Sequence, residues 1–424
     1  MFGGDCSDAV LGSTTFHYCP VPVGAAVAVG GQKMTMTVHD NDSDSDSVGD
    51  SVSGIAGGEL KRKKLDERPR RYVEDVGSAG SLTLVLQALL PCVVMRSIDF
   101  CEPTTDTATG DTDITLIGGT NVSFSPPVEH FLRVLLPLLS NMGILVTARL
   151  VRRGFFPRGG GKIHLTKAAT SASGMTPLSL THQGSFKSAQ IYVYVSVEEN
   201  DMDTIGPDAY GILQEAVDTL RSNLNDLVMN LLSKTGNVDE SFRIGFDSVC
   251  CTDDCKKNED QKSESRPIGA QTENNNNRGG NKNGNKYNNK KKSNKVAITL
   301  GALVCIHTTT GCVISADAMV NERDHRKLNA GKSLMMTGEI INTIMTRLER
   351  TIVNGACVDE QSADQLLIYM ALCPGMSEIL CAPLCPEDHS QHIEAAIDII
   401  SQFTNRQFSV EIHPETHNRL IRCL

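Results

Sequence analysis

The feature that most constrains this chain is a hydrophobic period that keeps changing. Stretches with apolar residues three or four apart give way to shorter runs suited to strands, and the switch recurs along most of the length. The spacing predicts helices over Ser81 to Leu90, Val128 to Leu139, Asp208 to Ser233, Gly338 to Arg350, Ala363 to Leu372 and His392 to Phe403. Strands are expected at Asp113 to Ile117, Gly143 to Val151, Lys162 to Leu165 and Ala189 to Val197. Val296 to Ile306 and Cys312 to Ser315 read as a hairpin across Thr308-Thr309-Thr310-Gly311, and Phe408 to Ile412 as a final strand. Elements alternating in this way cover sheets with helices, so an α+β fold is expected.

At 424 residues and 40% hydrophobic composition, the chain can bury the cores of two or three domains. Two segments are too polar to offset their ordering entropy and are expected to be disordered. The first, residues 21–71, holds the acidic run Asp40 to Asp46 and the basic runs Lys61-Arg62-Lys63-Lys64 and Arg68-Pro69-Arg70-Arg71. The second, 252–295, is rich in Asn, Lys and Gly. They divide the chain into a main domain (1–20 and 72–185), an insert domain (186–251) and the last part of the main domain (296–424). The basic runs read as solvated loop charge or as nuclear-import and RNA-attracting elements, which makes the nucleus the expected location and the cytoplasm the alternative.

The net charge of −10 argues against binding nucleic acid through bulk charge but leaves room for a local basic groove. No apolar run is long enough to span a bilayer, so no membrane is expected as a partner. The fourteen cysteines follow no framework and no secretory signal is evident, so reduced thiols in the cytosol or nucleus are expected. Neither Cys250, Cys251 and Cys255 nor Cys373, Cys381 and Cys385 have zinc-ligand spacing.

Five stretches can carry chemistry. Arg152-Arg153-Gly154-Phe155-Phe156-Pro157-Arg158-Gly159-Gly160-Gly161-Lys162 combines four basic side chains with glycines that let backbone approach a phosphate, although the P-loop spacing is absent. Arg153 and Arg158 are its candidates for phosphate or RNA contact; the alternative is a glycine-rich strand connection. Gln87 interrupts an apolar helix, and its amide either satisfies nearby backbone or reads a ligand. Val358-Asp359-Glu360-Gln361-Ser362-Ala363-Asp364-Gln365 concentrates carboxylates at a helix start, where they cap the helix or bind a metal–nucleotide complex. Gly118-Gly119-Thr120-Asn121, followed by Ser125-Pro126-Pro127, joins a strand to a helix. Finally, His392 opens an amphipathic helix whose dipole favours the neutral, nucleophilic imidazole and whose free N–H groups can hold phosphate.

In this order the motifs resemble those of the RNA 3′-terminal phosphate cyclases. Gly77 to Gln87 is similar to that family's GTAGS-x-TLLLQ helix, Gly118 to Glu129 to its GGTN-x-x-x-x-PPVD loop, and Arg152 to Gly161 to its RRGFYPRGGG signature. Val358 to Gln365 resembles VDEYLxDQ, with Gln361 replacing the tyrosine, and His392 falls where the family's nucleophile precedes the final helix. The resemblance covers about Glu74 to Thr166 and Val296 to Ile412. It implies repeated units of two helices on a four-stranded sheet, with a small α/β insert domain from about Phe186 to Lys295. It also implies the reaction: His392 takes AMP from ATP, AMP passes to an RNA 3′-phosphate, and the 2′-OH displaces it to leave a 2′,3′-cyclic phosphate. Gln87, Pro126, Gln361, Ser362, Ala363, Asp364 and Gln365 would contact the nucleotide, with a divalent cation, Mg or Mn, beside it. Asp364 would orient His392 or the metal complex. His389 is the rival nucleophile, and the spacing to Ala396, Ile397 and Gln402 prefers His392.

The family's glycine-rich opening strand, GGGQxLR, and its arginine-rich segment ending near RPQH have no counterpart here, and an upstream truncation is the expectation. The competing reading is an inactive cyclase-like scaffold of ribosomal RNA processing, against which the retained Asp364, Gln365 and His392 argue. A nucleotide-binding relative of the enolpyruvyl transferases is opposed by the Arg152–Gly161 stretch.

Overall fold

The computed structural model describes residues 4–7, 17–20, 27–29, 32–34, 71–99, 111–171, 174–197, 207–251, 298–322, 328–383 and 392–424. Two antiparallel pairs come first: β1 (Gly4–Ser7) with β2 (His17–Pro20), and β3 (Val27–Val29) with β4 (Gln32–Met34). The second pair interrupts the segment expected to be disordered over 21–71. Its sequence has the signal of a hairpin, two short runs separated by Gly30-Gly31, which the low hydrophobicity of the whole segment concealed. The rest of that segment up to residue 70, and all of 252–295, lie outside the described residues.

The first four-stranded sheet contains β5 (Arg71–Asp75), β6 (Asp111–Gly118), β7 (Ile144–Arg152) and β8 (Gly161–Thr170), in the order β5-β6-β8-β7. Only β5 and β6 run parallel. They are joined through α1 (Leu82–Asp99), whose Leu82, Leu86, Leu90 and Val94 fall at four-residue steps and are fully buried. Truncating any one of them to alanine would cost about 2–5 kcal/mol. A second helical stretch joins β6 to β7: α2 (Val128–His130), a π turn (Phe131–Leu135) and α3 (Leu136–Asn141). Pro137 has no N–H to return to the preceding turn, and the wide turn lies immediately before it.

β8 leads into a two-residue strand, β9 (Ser179–Leu180). Next comes the sheet β11-β10-β12-β13, built from β10 (Phe186–Val197), β11 (Val238–Cys251), β12 (Ile298–Thr308) and β13 (Val313–Glu322). Alternate residues Ala189, Ile191, Val193 and Val195 pack against α4 (Pro207–Thr235) and α5 (Ala330–Val353) in a core of their own. β10 pairs with β12 from Phe186↔Thr308 to Val197↔Ile298. The expected boundary between 186–251 and 296–424 therefore divides one sheet, because the polar tract between them only links neighbouring strands.

The last sheet, β15-β16-β14-β9, contains β14 (Ser377–Cys381), β15 (Phe408–Ile412) and β16 (Arg419–Cys423), with α6 (Glu360–Leu372) and α7 (His392–Thr404) between its strands. Its strand order and directions match those of the first sheet: β9 is parallel to β14, and β16 is antiparallel to both β14 and β15. Phe408–Ile412 is thus an edge strand and not the final one. β16 is an inner strand, tied across by Arg422 to Glu378 and Glu411. The first and last sheets share one apolar core. No helix among the described residues is long and apolar enough to cross a membrane.

Candidate active site

Three glycine-bearing loops interlock at one end of the first sheet. Gly119 N–H donates to the Gly80 carbonyl at 2.8 Å, and Leu82 N–H donates to the Gly119 carbonyl at 2.8 Å, which sets the start of α1. Thr120 N–H and Asn121 N–H both donate to the Gly154 carbonyl, while Gly154 N–H returns to Thr120 Oγ1 at 3.0 Å. A Cβ on Gly154 would strike the backbone of Gly118 and Gly161, so only glycine fits there.

This knot carries a buried polar network. Asn121 Nδ2 donates to Glu129 Oε2 at 2.8 Å, Thr120 Oγ1 donates to Asn121 Oδ1 at 2.7 Å, and the Arg153 guanidinium forms an ion pair with Glu129. Arg153 was a candidate for phosphate contact; the structure neutralises it internally. Arg158, in the same loop, is exposed. The Tyr194 hydroxyl, hydrogen-bonded to Asn121, is held well above its ordinary range, chiefly by burial.

Beside the network, Thr83 Oγ1 donates to the Pro126 carbonyl at 2.7 Å and fixes that proline against α1. Gln87 lies one turn further along α1 on the same face, half-buried, and its amide makes no hydrogen bond to the described residues. Its side chain therefore satisfies no backbone there.

A second network joins this helix system to α6. Asp359 caps α6, accepting from Ser362 N–H at 2.8 Å, and its other oxygen accepts from Ser315 N–H and Oγ at 3.0 and 2.9 Å. Ser362 Oγ also lies 3.2 Å from Nε2 of His130, which is fully buried and pushed below its ordinary pKa by that burial. His130 escaped the sequence reading, and the only available signal was a polar residue inside an apolar helical stretch. Among the expected nucleotide contacts, Ser362, Ala363 and Gln365 are buried, and the Ser362 hydroxyl is already engaged. Gln361 and Asp364 stay partly exposed.

Asp364 and His392 lie on α6 and α7, which pack together, with no hydrogen bond or ion pair between the two side chains. His392 is the first residue of α7 and is exposed, with Ile393 and Ile400 turned into the core. Burial pushes the Asp364 carboxyl up to about 7, while His392 and the Gln365 backbone pull it down. One Asp364 oxygen is buried with no hydrogen-bond partner among the described residues. His389 lies outside the described residues. No group of three His, Cys, Asp or Glu among them is arranged to hold a metal ion.

The Asp364 shift sets a pH dependence. The folded state holds a proton that the unfolded chain releases near its ordinary value of 3.8. The stabilisation is therefore complete below that value and falls as pH rises towards about 7. Asp364→Asn is expected to flatten this fall and to be more stable than the parent at pH 8. Urea midpoints at pH 5 and pH 8 that shift equally in both proteins would refute it.

A sequence model of the RNA 3′-terminal phosphate cyclase family matches residues 51–410. The RNA 3′-terminal phosphate cyclase of Desulfurococcus amylolyticus is 34% identical over 134 residues, which is 32% of this chain and 34% of that protein. The cyclase of Halobacterium salinarum is 40% identical over 128 residues, 30% of this chain and 32% of that protein. The probable RNA 3′-terminal phosphate cyclase of Dictyostelium discoideum is 23% identical over 346 residues, 81% of this chain and 59% of that protein. The chain thus spans about a third of the first two relatives and under two thirds of the third.

Proposed function

The chain belongs to the RNA 3′-terminal phosphate cyclase family, and from that premise we propose that it converts RNA 3′-phosphate ends to 2′,3′-cyclic phosphates at the expense of ATP. The observation that carries the reading is the packing of α6, which carries Asp364 with an unpartnered buried oxygen, against α7, which His392 opens. His392 attacks the α-phosphorus of ATP; the new N–P bond forms as pyrophosphate leaves. The RNA 3′-phosphate then takes AMP from the histidine, and the adjacent 2′-OH attacks the activated phosphorus and expels AMP. The logic is that of covalent catalysis: a phosphate monoester has no good leaving group until it carries AMP.

Asp364, ionised above about pH 7, is the carboxylate that orients the His392 ring towards phosphorus once the nucleotide is bound. Gln361 shares the exposed side of α6 with Asp364, one turn apart, and contacts the nucleotide. Gln87 and Pro126 supply an amide and an apolar wall for it. Ser362, Ala363 and Gln365 act from behind by fixing α6. Arg158 is the phosphate or RNA contact, and Arg153 holds the loop. A divalent cation bound with the nucleotide would offset its phosphate charge; no step here is routed through it. The matching strand orders of the first and last sheets support one repeated two-helix, four-strand unit. The insert is then the whole unit from Phe186 to Val353. The basic runs near residues 61–71 make the nucleus the location, which imaging of the full chain with and without those runs would test.

The reading is tested by incubating the full chain with α-labelled ATP and Mg or Mn. An acid-labile covalent label followed by cyclisation of a 3′-phosphorylated RNA is expected. A folded protein that takes no label would favour the inactive scaffold of ribosomal RNA processing.

A further inference from the structure

A second concave surface lies on the far side of the β10-β11-β12 sheet from α4 and α5. It is a groove of about 470 Å³ between the π turn and the sheet. Strand alternation turns Ser188, Gln190 and Tyr192 into it, away from the core residues Ala189, Ile191 and Val193. The register places Arg243 and His307 on either side of Ser188, on neighbouring strands. From the opposite wall the Arg133 guanidinium sits 5.7 Å from the centre of the Tyr192 ring.

Neither Arg133 nor Arg243 has an ion-pair partner among the described residues; Arg243 Nη1 donates only to the Phe242 carbonyl, at 2.8 Å. The nearby carboxylates are occupied. Asp247 accepts from Gln190 at 3.3 Å, and Glu129 is paired with Arg153. Exposed Lys187 lies close enough to His307 to help hold its ring neutral. Two unpaired guanidinium groups around an aromatic ring are the elements that bind single-stranded nucleic acid without reading its sequence.

The groove also adjoins the candidate site. Arg133 is one helical turn beyond Glu129. Tyr194, two residues along the same sheet face from Tyr192, bonds to Asn121 and lies 6.2 Å from the Phe155 ring, centre to centre.

We propose that this groove holds the RNA strand on the 5′ side of the phosphate-bearing end, with phosphates on Arg133 and Arg243 and a base against the Tyr192–Arg133 stack. The proposal rests on the function proposed above. It explains how a chain of net charge −10 holds RNA: the basic charge is concentrated at one local surface.

The test compares a 3′-phosphorylated dinucleotide with a longer single-stranded RNA, measuring fluorescence anisotropy with the full chain over a salt series and no ATP. The Arg133→Ala, Arg243→Ala double variant is expected to bind the long RNA about tenfold more weakly, with a salt slope reduced by roughly 1.4, or about 0.7 per lost phosphate contact. Dinucleotide binding and covalent labelling by ATP should be unchanged. The double Lys variant should recover the slope, which separates lost charge from lost folding. Equal long-RNA affinity and slope in parent and double Ala variant would overturn the groove and assign its charge to another partner. If the parent binds neither RNA, the proposed function itself fails.

Discussion

His392→Ala is expected to remove covalent AMP transfer by roughly four to six orders of magnitude, the scale seen when the attacking group of a covalent mechanism is deleted. The same substitution should leave the fold almost untouched. His392 is exposed at the first position of α7, and Ile393 and Ile400 carry the packing of that helix. Its first turn also keeps the acidic Glu394 facing the helix dipole. Phosphorimaging of acid-labile label, together with circular dichroism and a urea midpoint, reads both halves. Residual labelling above a hundredth of the parent level would point to a different nucleophile, with His389 the first to replace. A large loss of stability would mean that the histidine was structural.

Arg153→Ala should have the largest effect on stability. It removes the cation from a pair in which Arg153 and Glu129 side chains are only 14% and 6% exposed. Leaving the Glu129 carboxylate buried without its counter-charge costs about 3–5 kcal/mol. The loss should be mostly reversed by adding Glu129→Gln. That amide is neutral, and its oxygen can still accept the N–H of Asn121 that Glu129 now accepts at 2.8 Å. Urea unfolding of the parent, the single variants and the double variant forms the cycle. If the double variant is as unstable as Arg153→Ala alone, the ion pair is not what holds the loop. The effect on RNA cyclisation should follow stability and disappear under conditions where all four proteins remain folded.

The two outcomes differ in how well the sequence disclosed them. Long elements with a regular apolar stripe were legible, because burial on one face imposes a period that local inspection detects: Leu82, Leu86, Leu90 and Val94 in α1 are an example. Two strands, β16 and β11, were not. β16 has five residues, and its inner position depends on β14 and β15 flanking it. β11 alternates through Phe242, Ile244 and Phe246, but it is an edge strand with one face partly open, so its pattern is diluted. Within the site, the sequence motifs located the loops and not their partners. Arg153 has the chemistry of a phosphate ligand, and only the fold brings Glu129 beneath it. Ser362 lies in the expected nucleotide segment, and only the fold turns its hydroxyl towards His130 and Asp359. Interactions between residues distant in sequence leave no periodic trace, and most of a site consists of such interactions.

The divided last sheet has a consequence for how the protein is made. β9 supplies its first strand, and the pairing of Leu180 with Ile379 closes only after everything between them has been synthesised. Closing a loop of roughly 200 residues carries an entropic term of about 4–5 kcal/mol if the loop is slack. Here the loop contains a sheet with its own core, Phe186 to Ile352, and the segments flanking it are joined where Gln183 Nε2 donates to the Ala356 carbonyl at 2.6 Å. Early folding of that unit would shorten the effective loop. The topology thus makes the sheet beside α7 the one that waits for the inserted unit before its strands can pair. A ribosome that stalls before β14 would release a chain with one finished core and an orphaned Ser179–Leu180 strand, a species recognisable to quality control and unable to bring His392 and Asp364 together.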